Sequence, residues 1–428
     1  MRKSTERPII TLILLIFIVS LQTASAQMFA VKADSMVNVV SGKLVSPAVV
    51  VVNNGVIESI NPASLPDNIK VIDLGNQTLL PGLIDMHTHV TGDFFTGDEW
   101  TTATVRQTAP DWALLGVRFA RDILDNGFTT IRDLGAYPGF PDVALMRAIE
   151  AGHMPGPDIW PAGHPISITG GHCDITGFAP GVMELGPKAG IADGVDEVIK
   201  AVRYQAKHGV RVIKICATGG VYSFSQNAEV GAQQFSFNEL KAIVEEAHKL
   251  GLKVAAHAHG TQGINAAIKA GVDSIEHGSI LSEESIALMK ERGTFLVPQA
   301  YLGEFELDPN TPAQIVAKAK YLEPLLKNSY KMAQDAGINM AFGSDNGVFP
   351  HRDTSLEFGA LTRLGISNID ALRMATINAS KLLGVEDRGE LAVGKRADIV
   401  AVPGNPLEDI TQMEAVSFVM KQGVVFKQ

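Results

Sequence analysis

Two histidines separated by one residue end an apolar run that begins at Pro81 and Gly82. Residues two apart on a strand point to the same side, so His87 and His89 would present their imidazoles together. Neutral imidazole is a common ligand of transition metals. The alternative is a pair of ordinary histidines on a surface loop, and the pair alone does not decide between the two.

Further metal-binding or reactive side chains lie at or near the ends of other apolar runs. They are Lys214, His257, His277 and Asp345. The four histidines and the aspartate supply nitrogen and oxygen ligands that suit Zn²⁺. His259 lies two residues after His257 and would share its face, so the spacing leaves either of them as the ligand.

Lys214 lies inside an apolar run at 212–216, where an unpaired ammonium group is costly to bury. One interpretation is a lysine at a strand end whose ammonium group reaches water along its apolar stem. The other is that the neutral amine reacts with CO₂ and becomes a carbamate. Such a carbamate carries two oxygens and a negative charge, and it can bridge two metal ions.

The middle of the chain alternates short apolar runs with helical patterns. The apolar runs predict strands at about 83–88, 128–133, 158–162, 210–216, 253–257, 273–277, 294–299 and 338–343. The helical patterns lie at 111–126, 142–151, 194–208, 238–250, 261–270, 282–292, 312–336 and 368–383. Eight strands alternating with helices predict an α/β fold, a closed (β/α)₈ TIM-type barrel. A doubly wound open sheet is the alternative.

The site of such a barrel is built at the carboxyl ends of its strands. Barrel closure would therefore bring the candidate side chains into one ring. A long Gly- and Pro-rich connection at 164–193 follows the third strand. Loops of that length are usually functional or disordered, and this one carries His172 next to a pair of glycines.

Both ends of the chain are rich in short strands. Two β-branched runs flank Asn54 and Gly55, which is typical of a hairpin. The simplest arrangement is a small β-sandwich built from residues 27–82 and 388–428, with a barrel of residues 83–387 inserted between them.

The composition limits the partners of the chain. The 428 residues carry a formal net charge of −10, which argues against nucleic acid or an anionic membrane surface. The only cysteines are Cys173 and Cys216, and we expect both to be free because two cysteines make no disulfide framework. A single bridge between them is the alternative.

The first 26 residues have the pattern of a signal peptide. A basic start precedes an apolar run that is short for a membrane span, and small residues end at Ala26. We therefore expect a periplasmic or secreted protein without a stable membrane anchor. An uncleaved anchor is the alternative.

Taken together, these motifs resemble the amidohydrolase superfamily over essentially all of the mature chain. They include the run from Leu80 to His89, Thr-Thr-Ile-Arg-Asp at 129–133 and Ala-Asp-Ile-Val at 397–400. The chain is most similar to the branch that groups imidazolonepropionase-like enzymes with metal-dependent Xaa-Pro (prolidase) and Xaa-Arg/Lys dipeptidases. Members commonly form oligomers, so a homo-oligomer is one assembly that the resemblance allows.

The resemblance implies two divalent metal ions, with Zn²⁺ expected. His87, His89 and Asp345 would hold one ion, and His257 and His277 the other. Carbamylated Lys214 and a hydroxide would bridge them, and Asp345 would act as general base and then as general acid. This arrangement implies hydrolysis of the amide bond of a dipeptide or an N-acyl amino acid.

Two further residues are implied to contact the substrate. His172 would polarise the scissile carbonyl or hold the substrate, and the phenol of Tyr222 would donate to a substrate carboxylate. For both, an ordinary loop or packing role is the alternative.

Other functions and other residues stay open. A mononuclear cyclic-amide hydrolase that does not need the lysine, or a non-catalytic binding protein on the same scaffold, would fit the fold. Arg132 and Asp133 are expected to form a structural ion pair at the barrel rim, and His351 is expected on the surface.

Overall fold

The computed structural model describes residues 28–93, 99–136, 138–223 and 230–428. The predicted signal peptide at 1–26 lies outside these ranges. Within them, no helix combines the length and the apolar character needed to cross a membrane.

The chain begins with short strands. These are β1 (Met28–Ala33), β2 (Ser35–Asn38), β3 (Lys43–Val45), β4 (Ala48–Asn53), β5 (Val56–Ile60), β6 (Lys70–Asp73) and β7 (Thr78–Pro81). Strands β4 and β5 form the expected antiparallel hairpin, with Asn53 opposite Val56. Asn54 and Gly55 have φ of 50° and 79°, the left-handed conformation that the tight hairpin turn requires.

Parallel strands follow in the middle of the chain. They are β8 (Leu83–Thr88), β9 (Phe128–Asp133), β10 (Asp158–Pro161), β11 (Val212–Cys216), β12 (Lys253–Ala258), β13 (Ser274–His277) and β14 (Phe295–Val297). They pair in the orders β10-β9-β8 and β11-β12-β13-β14. A hydrogen bond of 2.8 Å from Arg211 N to Pro161 O, and a parallel bridge between Ile166 and Ile215, join the two groups.

An irregular segment takes the place of the eighth strand predicted at 338–343. Met340 forms a parallel bridge with Leu296, and Met86 N donates to Phe342 O at 2.8 Å, so the segment lies between β14 and β8 and closes the barrel. Phe342 N donates to Met374 O rather than to a neighbouring strand. This diversion of backbone groups to a helix explains why the segment is not a regular strand.

Helices surround the barrel. They are α1 (Glu99–Arg106), α2 (Ala109–Asp125), α3 (Pro141–Glu150), α4 (Val195–His208), α5 (Phe237–Lys249), α6 (Thr261–Ala270), α7 (Glu283–Arg292), α8 (Ala313–Asp335), α9 (Leu356–Arg363), α10 (Asn368–Arg373) and α11 (Ala379–Leu383). The last predicted helix, 368–383, is interrupted by a π-helical turn at Met374–Asn378. Helices α1 and α9 were not predicted.

The chain ends in β15 (Ile399–Val402), β16 (Phe418–Lys421) and β17 (Val424–Lys427). One six-stranded sheet has the order β17-β16-β15-β7-β2-β3, so strands from both ends of the chain share it. Phe29 and Val50 from the four-stranded sheet pack with Leu79, Ile399 and Phe418 from the six-stranded sheet in a common apolar core. The predicted class, a TIM-type barrel with a small two-sheet unit from both termini, is confirmed, and the exact domain boundaries stay a prediction.

Candidate metal centre and active site

The side chains predicted to carry the chemistry converge at the carboxyl ends of the barrel strands. They are His87 and His89 at β8, Lys214 in β11, His257 in β12, His277 in β13 and Asp345 after the irregular eighth segment. All of them line a cavity of about 310 Å³, which His172 and Tyr222 also line. The fold therefore brings together residues as far apart in sequence as His87 and Asp345.

The first group of close contacts surrounds the carboxylate of Asp345. Its Oδ1 lies 3.0 Å from His89 Nε2 and 3.3 Å from His87 Nε2. Lys214 Nζ lies 3.3 Å from the same His87 nitrogen. Ligand atoms of His87, His277 and Asp345 all lie within 4.8 Å of one another, a spacing that one ion can span.

A second group consists of imidazoles. His257, His259 and His277 also offer ligand atoms within 4.8 Å of one another. The Nε2 atom of His257 is buried and has no hydrogen-bond partner among the described residues, which is costly unless another ligand satisfies it. An unsatisfied nitrogen beside two further imidazoles fits a divalent metal ion.

The choice between His257 and His259 stays open. His259 is buried and contacts Ser279 Oγ through Nδ1 at 2.8 Å. Its ring stacks on that of His277 with the centroids 4.7 Å apart. The geometry thus places both histidines at the centre.

Two of these residues have an uncommon backbone conformation. His277 and Asp345 have φ of 68° and 62°, a backbone region that residues other than glycine rarely occupy. His277 N donates to Gln299 Oε1 at 2.8 Å, and Asp345 N donates to His87 O at 2.7 Å. These bonds hold the strained residues, as is common where geometry serves function.

A buried carboxylate orients His87. Glu276 Oε2 lies 3.0 Å from His87 Nδ1, which leaves Nε2 facing Asp345 and Lys214. A carboxylate that accepts from the far nitrogen of a metal-binding histidine fixes its tautomer and orientation. Sequence reasoning missed Glu276, although its position beside His277 and its place in an apolar strand mark it as a buried charge that needs a partner.

The expected ion pair between Arg132 and Asp133 is wrong. Arg132 Nη2 lies 2.8 Å from Glu276 Oε1, and its Nε donates to Met86 O at 2.6 Å. Asp133 accepts from Val90 N. Adjacent residues on a strand point to opposite faces, so the two side chains cannot meet.

Burial sets the charge states in the cavity. It lowers the pKa values of His87, His257 and His277 well below the usual value, so their imidazoles are neutral at physiological pH. Burial lowers the pKa of Lys214 to about 8, against the opposing effect of nearby carboxylates. Burial alone would raise the pKa of Asp345, but the neighbouring histidines outweigh it and keep the pKa low. The neutral imidazoles and the ionised Asp345 carboxylate are in the protonation states that metal binding requires.

The long connection places His172 over the imidazole group. Its ring centroid lies 4.1 Å from that of His257. Its backbone N donates to Gln234 Oε1 at 3.0 Å, and Nδ1 lies 2.8 Å from Ser223 Oγ. Gly220 lies against the His172 ring, and a Cβ atom at position 220 would come within 2.4 Å of His172 Cε1.

The two cysteines are joined in a disulfide, so the expectation that both are free is wrong. The Cα atoms of Cys173 and Cys216 lie 6.1 Å apart although 43 residues separate them in sequence. The long connection folds back over β11, and the two residues meet only because of that tertiary path.

His351 does not lie on the surface as expected. It is buried, its Nε2 lies 3.0 Å from His89 O, and its ring stacks on Phe119 with the centroids 4.0 Å apart. It thus packs against the backbone of a predicted metal ligand.

The fold and this group of side chains are those of a metal-dependent hydrolase. The model of the amidohydrolase family matches residues 78–426. The chain therefore belongs to the amidohydrolase family and is a hydrolase that acts on carbon–nitrogen bonds.

Similar proteins include enzymes that cleave amides. The chain is 38% identical over 375 residues to ochratoxinase from Aspergillus niger, covering 82% of this chain and 75% of that protein. A solved structure of a Xaa-Pro dipeptidase with bound methionine in its active site is 36% identical, with a TM-score of 0.88, covering 94% of this chain and 100% of that one. A prolidase complexed with N-methylphosphonate-L-proline is 32% identical, with a TM-score of 0.83 and the same coverage.

Proposed function

We propose that the protein hydrolyses the amide bond of dipeptides or N-acyl amino acids with apolar side groups, using two divalent metal ions. The observation that carries this proposal is the convergence of neutral imidazoles, including the unsatisfied His257 Nε2, with Lys214 and Asp345 at one end of a largely apolar cavity. A non-catalytic role would not need such a costly buried polar group.

The donor atoms fall into two sets. His87, His89 and Asp345 would hold one ion, and His277 with His257 or His259 would hold the other. Lys214, whose lowered pKa makes the neutral amine accessible near neutral pH, would take up CO₂ and bridge the sets as a carbamate. When bound, such ions acidify water and stabilise the negative charge that develops on an amide oxygen.

The protein's own groups would move the proton and hold the substrate. Asp345, ionised at neutral pH, would accept a proton from the attacking water and give it to the departing amine. His172 is neutral, because burial lowers its pKa to about 3, and would hold the scissile carbonyl. Burial raises the pKa of Tyr222 to about 12, so its phenol stays protonated and would donate to the substrate carboxylate.

The cavity wall argues for apolar side groups. Apolar side chains come from the long connection, from the segment after β14 and from α8; they include Phe178, Leu185, Leu302, Phe305, Leu322 and Leu326. Apart from Asp345, Asp174 is the one carboxylate among the described lining residues. The wall therefore favours Xaa-Pro and apolar N-acyl substrates over Xaa-Arg or Xaa-Lys. The names of the Xaa-Pro dipeptidase and the prolidase are in keeping with this preference.

A substrate panel tests the proposal. Purified protein reconstituted with Zn²⁺ and bicarbonate is incubated with Leu-Pro, Met-Pro, N-acetyl-Phe, N-acetyl-Leu and Ala-Arg, and released amino acid is measured by mass spectrometry. We expect release from the apolar substrates and little from Ala-Arg. If no member of the panel releases an amino acid, the proposal is contradicted. A metal-to-protein ratio near one that does not change in the Lys214→Ala variant would favour the mononuclear cyclic-amide alternative.

We also propose that the protein is exported, with cleavage of the signal peptide after Ala26. The Cys173–Cys216 disulfide supports this proposal, because structural disulfides persist mainly in oxidising compartments. Cell fractionation and N-terminal sequencing test it. Recovery of the full-length chain in the cytoplasm would contradict it.

A further inference from the structure

The disulfide lies in the wall of the cavity. Cys173 directly follows His172, and Cys216 lies two residues after Lys214 on β11. Both cysteines line the cavity. The bond thus links Cys173, the neighbour of the residue that we place on the substrate carbonyl, to the strand that carries Lys214.

The polypeptide after Cys173 offers little other support. Most residues from 174 to 190 are partly or fully exposed, and regular structure is limited to a short 3₁₀ turn at Pro187–Ala189. Besides the disulfide at Cys173 and the contact of its ring with that of His257, His172 is held by hydrogen bonds with Gln234 and Ser223. Both of these partners also lie outside helices and strands. The residues that hold His172 by hydrogen bonds are therefore in loops themselves.

The other end of the bond cannot move easily. Cys216 is fully buried and lies opposite His257 in the parallel pairing of β11 with β12. Two thiols cannot approach as closely as two bonded sulfurs. The displacement after reduction therefore falls on Cys173, and so on His172.

We propose that formation of this disulfide completes the substrate site by fixing His172, so that the enzyme reaches full activity only after oxidation. The inference rests on the proposed function. In the oxidation, the two thiols lose two protons and two electrons to a small disulfide such as glutathione disulfide, which becomes two thiols. A phosphine reverses the step by taking one oxygen from water and returning two hydrogens to the sulfurs.

A mutant cycle tests the inference. The variants are Cys173→Ser/Cys216→Ala, His172→Ala and the triple substitution, and the measurements are kcat, KM and metal content. We expect the cysteine variant to lose about 10- to 100-fold in kcat/KM, as a small misplacement of a substrate-holding group can cost. Metal content should stay unchanged, and the triple variant should be no worse than His172→Ala, because coupled residues do not act additively.

Chemical reduction gives an independent measurement. Wild-type protein treated with a phosphine should show the same loss, and glutathione disulfide should restore activity. The cysteine variant should respond to neither reagent. Native kcat/KM in the reduced protein, or losses that multiply in the triple variant, would overturn the inference.

Failure of the proposed function would look different. Oxidised wild-type protein would then hydrolyse no amide at all. In that case amide hydrogen exchange over residues 167–192 tests whether the disulfide fixes this segment. We expect faster exchange after reduction. Equal exchange in the oxidised and reduced protein would overturn the inference.

Discussion

At the scale of single residues, burial disfavours the charged forms of both groups that face His87, and it therefore acts on their pKa values in opposite directions. It favours the neutral amine of Lys214, whose pKa falls to about 8. It also disfavours the carboxylate of Asp345, yet the adjacent His87 and His89 keep that pKa below its usual value. Asp345 is therefore the group that is ionised and ready to accept a proton at neutral pH.

Asp345→Asn should abolish most turnover. The amide keeps the shape of the side chain but cannot accept the proton, and loss of a general base alone costs about 10²- to 10⁴-fold. Steady-state kcat on the best substrate of the panel measures the effect. Circular dichroism should show an unchanged fold, and a kcat within threefold of the wild type would refute the role.

Lys214→Ala should bind less metal than the wild type. The substitution removes the nitrogen that forms the carbamate, and with it the oxygens that would join the two sets of donors. Elemental analysis of both proteins after reconstitution with Zn²⁺ and bicarbonate measures the difference. Acetate or propionate should restore part of the metal content, and equal content without these anions would rule the carbamate out.

The sequence predicts the residues of this centre better than their surroundings. The six predicted ligands stand in or just after the barrel strands or the irregular eighth segment, near their carboxyl ends, where a parallel barrel must gather them. Glu276 and the disulfide partners were missed, because their roles depend on which strand or loop lies opposite. Nothing in the local sequence shows that His87 faces Glu276, or that Cys173 folds back onto Cys216.

At the scale of elements, one buried carboxylate organises part of the cavity wall. Glu357 lies in α9 and accepts from Ala300 N at 2.9 Å and from Tyr301 N at 2.7 Å. These residues begin the segment that carries Leu302 and Phe305 into the cavity. Glu357 thus links the segment that forms the apolar wall to helix α9.

Glu357→Ala should loosen this wall. The buried Ala300 N–H and the partly buried Tyr301 N–H lose their acceptor, and the buried donor alone costs about 1–3 kcal/mol of stability. We expect a higher KM for Leu-Pro and N-acetyl-Leu with little change in kcat. Glu357→Gln, which keeps one acceptor oxygen, is the matched control and should lie between the variant and the wild type. An unchanged KM in the alanine variant would show that the wall does not depend on this carboxylate.

The elements also show where sequence patterns stop being informative. The strand ladder from β8 to β14 follows apolar runs and was predicted. The segment at 338–343 has the same apolar pattern, but Phe342 N and Met340 O are bonded to residues of the helix that follows. That helix was predicted as one element at 368–383, and only its packing on the barrel reveals the π-helical turn inside it.

At the scale of the whole molecule, a charge cluster joins the barrel to the terminal strands. Asp158 at the start of β10 lies 2.9 Å from Arg388 Nη1, 2.6 Å from Arg396 Nη1 and 2.7 Å from Lys421 Nζ. Both arginines lie between α11 and β15, and Lys421 ends β16. One carboxylate of the barrel therefore pairs with three cations contributed by the C-terminal region.

Asp158→Asn should destabilise the protein, and the loss should depend on pH. Burial opposes ionisation of Asp158, but the three cations outweigh it and hold its pKa well below the usual value. A lowered pKa in the folded state adds stability above about pH 4, and this contribution disappears as the pH falls toward the folded-state pKa.

Breaking a buried ion pair costs about 3–5 kcal/mol, so this is the expected difference in the free energy of unfolding in urea at pH 7. The difference should shrink at pH 3. Asp387 and Asp398 titrate nearby, but they are present in both proteins and largely cancel in the comparison. Asp335→Asn, at an exposed pair with Lys331, is the control and should change stability by less than about 1 kcal/mol. A difference as large at pH 3 as at pH 7 would mean that packing, and not the charge of Asp158, holds the two parts of the molecule together.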